Sequence, residues 1–130
     1  MKAQTNRTIL LLEDEPWLRD TYCRSLKRQG FRVHTASDAQ TALDVLDRYP
    51  EVELVIVDLL LPQHNGLAFL YEAVSHIDWQ DKRYVILSSV PKEDFGESPA
   101  IWEQLNVVDY LYKPAMLPHE LPVYIQRAAA

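Results

Sequence analysis

A single cysteine, Cys23, cannot close an internal disulfide, which fits a reducing compartment and leaves Cys23 as a packing residue. No apolar stretch approaches the roughly 20 residues that span a bilayer. Met1 to Arg7 also lacks the apolar run of a secretory signal, so the expectation is a cytoplasmic protein with no membrane partner. An excess of positive charge is missing too. The net charge is −6 and the Lys and Arg residues are scattered, whereas contacts to nucleic-acid phosphates need clustered cations, so direct nucleic-acid binding is not expected. The four histidines, His34, His64, His76 and His119, show no metal-ligand spacing. Internal repeats and low-complexity tracts are absent. What is present is 130 residues, 48% of them hydrophobic, enough for one core and one domain. The core is expected over about residues 8–128, with 1–7 as a tail.

Five short apolar runs rich in β-branched residues alternate with segments of helical period, the pattern of βα units around a parallel sheet, so the fold class is α/β. Thr8 to Leu12 is the first strand, and a helix from Pro16 to about Gln29 follows, with Leu18, Tyr22 and Leu26 on one face and Gly30 at its C-cap. Phe31 to Ala36 is the second strand, and Asp38 caps a helix that ends at Tyr49-Pro50. Leu54 to Asp58 is a third, continuously apolar strand, as expected of one covered on both faces. After Pro62 and Gly66 come a helix with Leu67, Leu70 and Val74, a fourth strand from Tyr84 to Ser88, and a fifth from Tyr110 to Tyr112. Between the last two strands, only Ser98-Pro99 onward reads as a helix start, so the fourth helix is expected to be short and late. The last helix is placed from near His119 or Glu120 to about Ala128, because a proline beyond the first turn breaks a helix.

The polar residues that interrupt this pattern fall at strand ends, where open α/β sheets bind ligands. Glu13 and Asp14 end the first strand, Asp58 ends the third, Ser88 ends the fourth and Lys113 follows the fifth. Three carboxylates gathered in one place repel one another unless a cation lies between them. An all-oxygen donor set with neither Cys nor His favours Mg²⁺, or Mn²⁺, over Zn²⁺. A lysine and a hydroxyl at the same rim suit phosphoryl oxygens.

The segments ILLLEDEP, VIVDLLLPQHNG, VILSS and VVDYLYKP, in that order and at these spacings, resemble the response-regulator receiver family, over Thr8 to about Arg127. The resemblance implies a single receiver domain, a doubly wound, flavodoxin-like five-stranded parallel sheet in the order 2-1-3-4-5, and helices on both faces. It implies that Asp58 is the phosphoacceptor, with Mg²⁺ held by Asp14, by Glu13 through water, by Asp58 and by the backbone carbonyl of Leu60. Ser88 and Lys113 would hold phosphoryl oxygens, and Tyr110 would be the aromatic that turns inward when the Ser88 hydroxyl moves. Leu60 and Val90 would tune dephosphorylation, and neither side chain can orient water. The Lys113–Pro114 bond resembles one that is often cis in this family. Asn106-Val107-Val108 stands where small residues are usual, and Asn tolerates the left-handed conformation a glycine would supply. Ser89 replaces a commoner Ala, and the stretch from Ser88 to Lys113 is longer than usual.

The implied partners are a sensor histidine kinase or a histidine phosphotransfer protein upstream, and downstream a protein or domain met through helix 4, strand 5 and helix 5 near Trp102, Tyr110 and Tyr112. The chain would catalyse its own phosphorylation and slow dephosphorylation without being a turnover enzyme. A phosphohydrolase with an aspartyl nucleophile would carry a DxD pattern on its first strand, whereas here Asp58 is followed by Leu59-Leu60 on the third. An inactive receiver-shaped module would have lost an acid or the lysine. Individually, Asp14 or Asp58 could be a helix cap, Lys113 a surface charge, Ser88 a strand-end hydroxyl and Tyr110 packing. Only their co-location argues otherwise. Trp17, Trp79 and Trp102 read as packing or partner contacts.

Overall fold

The computed structural model describes residues 7–60, 66–94 and 99–130. Five strands, β1 (Thr8–Leu12), β2 (Arg32–Ala36), β3 (Val52–Asp58), β4 (Arg83–Ser88) and β5 (Val107–Tyr112), pair in parallel in the order β2-β1-β3-β4-β5. Helices α1 (Pro16–Arg28), α2 (Ala39–Arg48), α3 (Gly66–Ser75), α4 (Pro99–Gln104) and α5 (Leu121–Ala129) cover it. Side chains alternate across a strand. Leu10, Leu12, Val55, Val57 and Ile86 therefore pack with α2, α3 and α4, while Ile9, Leu11, Ile56, Val85 and Leu87 pack with α1 and α5. Both faces are covered, which is why the central strands are apolar without a break. None of the described helices is long and apolar enough to cross a membrane.

Local chemistry sets the joints. Gly30 takes φ 95° after α1 and donates to the Lys27 carbonyl at 3.0 Å, a conformation that an L side chain resists. Asp38 Oδ1 accepts the Thr41 N–H at 2.8 Å, capping α2. Asn106, between α4 and β5, has φ 58°, the left-handed role expected of it. A six-residue α4 beginning at Pro99 matches the short, late helix expected, although Ser98, Gly96, Pro62 and His64 lie outside the described residues.

Several expectations are corrected. Strand β3 begins at Val52 and β5 at Val107, because backbone pairing (Thr8 with Val52, Tyr84 with Val107) continues beyond the apolar runs. Phe31 is buried but precedes β2. Helix α5 begins at Leu121, since Pro118–Glu120 forms a separate 3-10 turn. Pro122 then falls in the first turn of α5, where its missing N–H costs no bond. The Lys113–Pro114 bond is trans. Pro114 sits in a 3-10 turn, Lys113–Ala115, closed by the Met116 N–H donating to the Lys113 carbonyl at 3.1 Å.

Candidate functional site

Strand register brings the polar residues together. Leu12 pairs with Val57, so the residues that follow, Glu13 and Asp58, leave the sheet side by side. Asp58 pairs with Leu87 and Ser88 with Tyr112, so Ser88 and Lys113 lie one step further out on β4 and just past β5. From β5 to β3 is two strand spacings, about 10 Å, a gap that a lysine can bridge. Lys113 Nζ donates to Glu13 Oε1 at 2.7 Å and to Asp58 Oδ2 at 3.2 Å.

Burial gives the cluster its electrostatic character. Glu13 is 1% exposed and Asp58 4%, while Asp14 is half-buried. Ligand atoms of these three carboxylates lie within 4.8 Å of one another. Burial pushes the Glu13 carboxyl up to about 7; the Lys113 bond opposes this shift and nearby Asp58 adds to it. Burial acts to lower the Lys113 pKa, but bonds and attraction to Glu13 and Asp58 outweigh it and hold the ammonium above its ordinary pKa. Three acids against one ammonium leave room for a hard dication, and the all-oxygen donors fit Mg²⁺.

The backbone around the acids is pinned. Asp58 Oδ1 accepts the Leu60 N–H at 3.0 Å. Gly66 donates to the Leu59 carbonyl at 2.9 Å, and a β-carbon at this glycine would lie 2.5 Å from the Asp58 carbonyl oxygen and 2.8 Å from Leu59 Cα. No residue other than glycine fits there without moving the Asp58–Leu59 backbone. On the β1 side, the Glu13 N–H donates to the Ala36 carbonyl at 3.0 Å, Arg19 Nη1 donates to the Glu13 carbonyl at 3.0 Å, and the Glu15 N–H reaches Glu13 Oε2 at 3.3 Å.

Ser88 and Tyr110 stand slightly apart from the acids. The Ser88 hydroxyl is fully buried and accepts the Val90 N–H at 3.0 Å, while the Tyr110 hydroxyl donates to the Val90 carbonyl at 2.5 Å. Burial raises the Tyr110 pKa, with the nearby Ser88 hydroxyl opposing the shift. Half-buried Tyr110 also meets Trp102 edge-on, with ring centroids 5.6 Å apart and an interplanar angle of 71°. Trp102 itself is 4% exposed, so of the two readings, packing or partner contact, it takes packing, and it does not itself form the surface expected near Tyr110 and Tyr112. Trp79 is buried as well, while Trp17 is 68% exposed on α1.

Two residues at the site escape sequence reasoning. Arg19 and Tyr22 sit inside α1, where an arginine reads as a solvated charge and a tyrosine as packing. Tyr22 is 2% exposed, and burial pushes its hydroxyl up to about 12, with Lys113, Glu13 and Asp58 also acting on it. No sequence signal separates either residue from ordinary helix positions.

Comparison with known proteins agrees with this arrangement. The family profile described as response regulator receiver domain matches residues 9–125. Regulatory protein AtoC of Escherichia coli is 32% identical over 92% of this chain, which spans 24% of AtoC. A sensor protein from Polaromonas superposes with a TM-score of 0.83 at 26% identity, covering 95% of this chain and 96% of the other. The chemotaxis response regulator CheY4 of Vibrio cholerae shares the fold, with a TM-score of 0.82 at 20% identity over 95% of this chain and 99% of its own. The chain spans half or less of the curated relatives compared.

Proposed function

This chain belongs to the response regulator receiver domain family, and on that premise we propose that it is a single receiver domain that accepts a phosphoryl group on Asp58 from a phosphohistidine of a sensor kinase or histidine phosphotransfer protein. The observation that carries the reading is a buried carboxylate at the end of β3 bonded to Lys113, with two more acids within ligand distance. An Asp58 carboxylate oxygen attacks phosphorus in line as the P–N bond to the donor imidazole breaks. The departing nitrogen keeps the electron pair and takes up a proton, and Asp58 becomes an acyl phosphate. Asp14, Asp58, the Leu60 carbonyl and, through water, Glu13 would hold Mg²⁺, which when bound neutralises charge on the transferring group. Lys113 and Ser88 supply the remaining donors to the phosphoryl oxygens. Lys113 is already tied to Asp58, whereas Ser88 must leave its contact with Val90.

That requirement gives the domain two states. When Ser88 turns to the phosphoryl group, the space and contacts around Val90 and Tyr110 change, and an effect confined to the site becomes a change at β5 and α4. Val108 and Tyr112 of β5, Leu117 beyond it and Val123 of α5 are exposed, apolar side chains that a downstream protein or domain would cover. Leu60 is 48% exposed beside the acceptor, and neither its side chain nor that of Val90 can direct a water at phosphorus, so the acyl phosphate is expected to be long-lived. Leu60→Asn should shorten its life; fast decay in the native chain that is insensitive to position 60 contradicts this.

The deciding experiment is intact-mass measurement after incubation with acetyl phosphate. One added phosphoryl group is expected with Mg²⁺ or Mn²⁺, none with excess EDTA, and none for Asp58→Asn. Undiminished labelling of Asp58→Asn removes Asp58 as acceptor, and labelling in EDTA removes the ion.

A further inference from the structure

Arg19 has no part in the chemistry above, yet its side chain is built into the site. Side chains on a helix lean toward its N-terminus. From the start of α1, that direction leads back to the end of β1. Arg19 is half-buried, and Nη1 donates to the Glu13 carbonyl at 3.0 Å while its own N–H donates to the Glu15 carbonyl at 2.8 Å.

The loop it grips has few other restraints. Glu15, the N-cap residue of α1, makes no side-chain cap bond, and Pro16 has no N–H to offer. The Glu13 N–H is held by Ala36 of β2. The Glu13 side chain is held by Lys113 and by the Glu15 N–H; Arg19 supplies the second hold on the Glu13 backbone, on the peptide that joins it to Asp14. The orientation of that peptide sets the direction in which the Asp14 side chain leaves the backbone relative to Glu13. Two adjacent acids can serve one ion only if this angle is fixed.

We propose that Arg19 is a positioning residue for the divalent ion, clamping the Glu13–Asp14 peptide to α1 so that the two carboxylates are presented together. The inference rests on the function proposed above. It requires a long, planar donor, because a guanidinium approaches a carbonyl with a fixed fork of N–H groups, whereas an ammonium is a mobile point charge. Lysine should restore the clamp in part and methionine not at all.

The test is Mg²⁺ titration of the purified chain by calorimetry, together with amide exchange at residues 13–15 without ion. Arg19→Met is expected to weaken Mg²⁺ binding roughly tenfold, the scale seen when a group orienting a metal ligand is lost, and to speed exchange of the Glu13 and Glu15 N–H groups. Arg19→Lys is expected to fall between Met and the native chain. Arg24→Met, which removes an exposed cation of the same helix paired with Asp20, should bind Mg²⁺ as the native chain does. Native affinity and exchange in Arg19→Met overturn the proposal. An equal loss in Arg24→Met also overturns it, because the effect is then one of helix charge. If the native chain binds no Mg²⁺, the proposed function fails while the exchange measurement still decides whether the clamp exists.

Discussion

Two lysines, one buried and one half-buried, stand at opposite ends of the sheet, and their surroundings differ. Lys113, beyond β5, faces Glu13 and Asp58. Lys82, just before β4, is 4% exposed and donates to the carbonyl oxygens of Pro50, at 3.1 Å, and Val52. Carboxylates hold the Lys113 pKa above its ordinary value, whereas burial lowers that of Lys82, with the charges of Asp81 and Glu51 opposing the shift from further off. Carbonyl dipoles tie an ammonium in place without offsetting its desolvation; ionised acids do both. One lysine thus fastens the start of β4 to the start of β3, and the other is held above its ordinary pKa against Glu13 and Asp58.

The sharpest way to break this contrast is to remove each charge. Lys113→Met is expected to slow acetyl phosphate labelling by about 10²-fold, the scale of losing one preorganised donor to developing charge, as read by intact mass. Equal labelling rates in Lys113→Met and the native chain would make the two lysines alike. Lys82→Met should leave labelling unchanged but reduce unfolding free energy by about 1–3 kcal/mol, because two carbonyls lose their donor. Urea denaturation measures it.

A substitution beside the acceptor sharpens the boundary between the two ends. Gly66→Ala forces a methyl group onto the Asp58 and Leu59 backbone, and should cost about 1–3 kcal/mol as overpacking while also slowing labelling. A stability loss with labelling intact would show that the Asp58–Leu59 backbone yields to the methyl group without affecting the site.

A smaller effect separates the ends by pH. The Glu13 pKa is raised from 4.5 to about 7 in the folded, ion-free chain. Its contribution to stability is therefore complete below pH 4.5 and lost as pH rises through about 7. Mg²⁺ requires the ionised form, so its affinity should fall as pH drops below about 7. Glu13→Gln should flatten both trends; a native profile in that variant would assign the titration elsewhere. The smallest expected signal is a saturable Mg²⁺-dependent change in Trp17 emission, absent in Trp17→Phe.

The sequence makes the fold legible where burial is two-sided: β1, β3 and β4 read as apolar runs because helices cover both faces. Strand starts are harder to read, since Glu53 is exposed within β3 and half-buried Val107 and exposed Val108 open β5 as an edge strand. Glu13, Asp14, Asp58 and Lys113 are legible because charges at the ends of apolar strands have few structural uses. Arg19 is not, since its role depends on a side chain reaching a backbone carbonyl six residues earlier. Trp102 reads as either packing or a partner contact for a similar reason: a short helix beside an edge strand gives no period from which to tell its inner face, and burial decides for packing.

Val90 joins Ser88 to Tyr110 by backbone atoms alone, donating its N–H to the Ser88 hydroxyl and accepting the Tyr110 hydroxyl at its carbonyl. Its side chain is consequently free to vary. An exchange of valine at position 90 would keep both backbone bonds, so under the proposed function it would alter the lifetime of the phosphoryl group without cutting the line between serine and tyrosine. Proline is the exception, for it would remove the N–H that holds Ser88 and leave the tyrosine end intact. Under the proposed function, timing and transmission would thus be carried by different atoms of one residue.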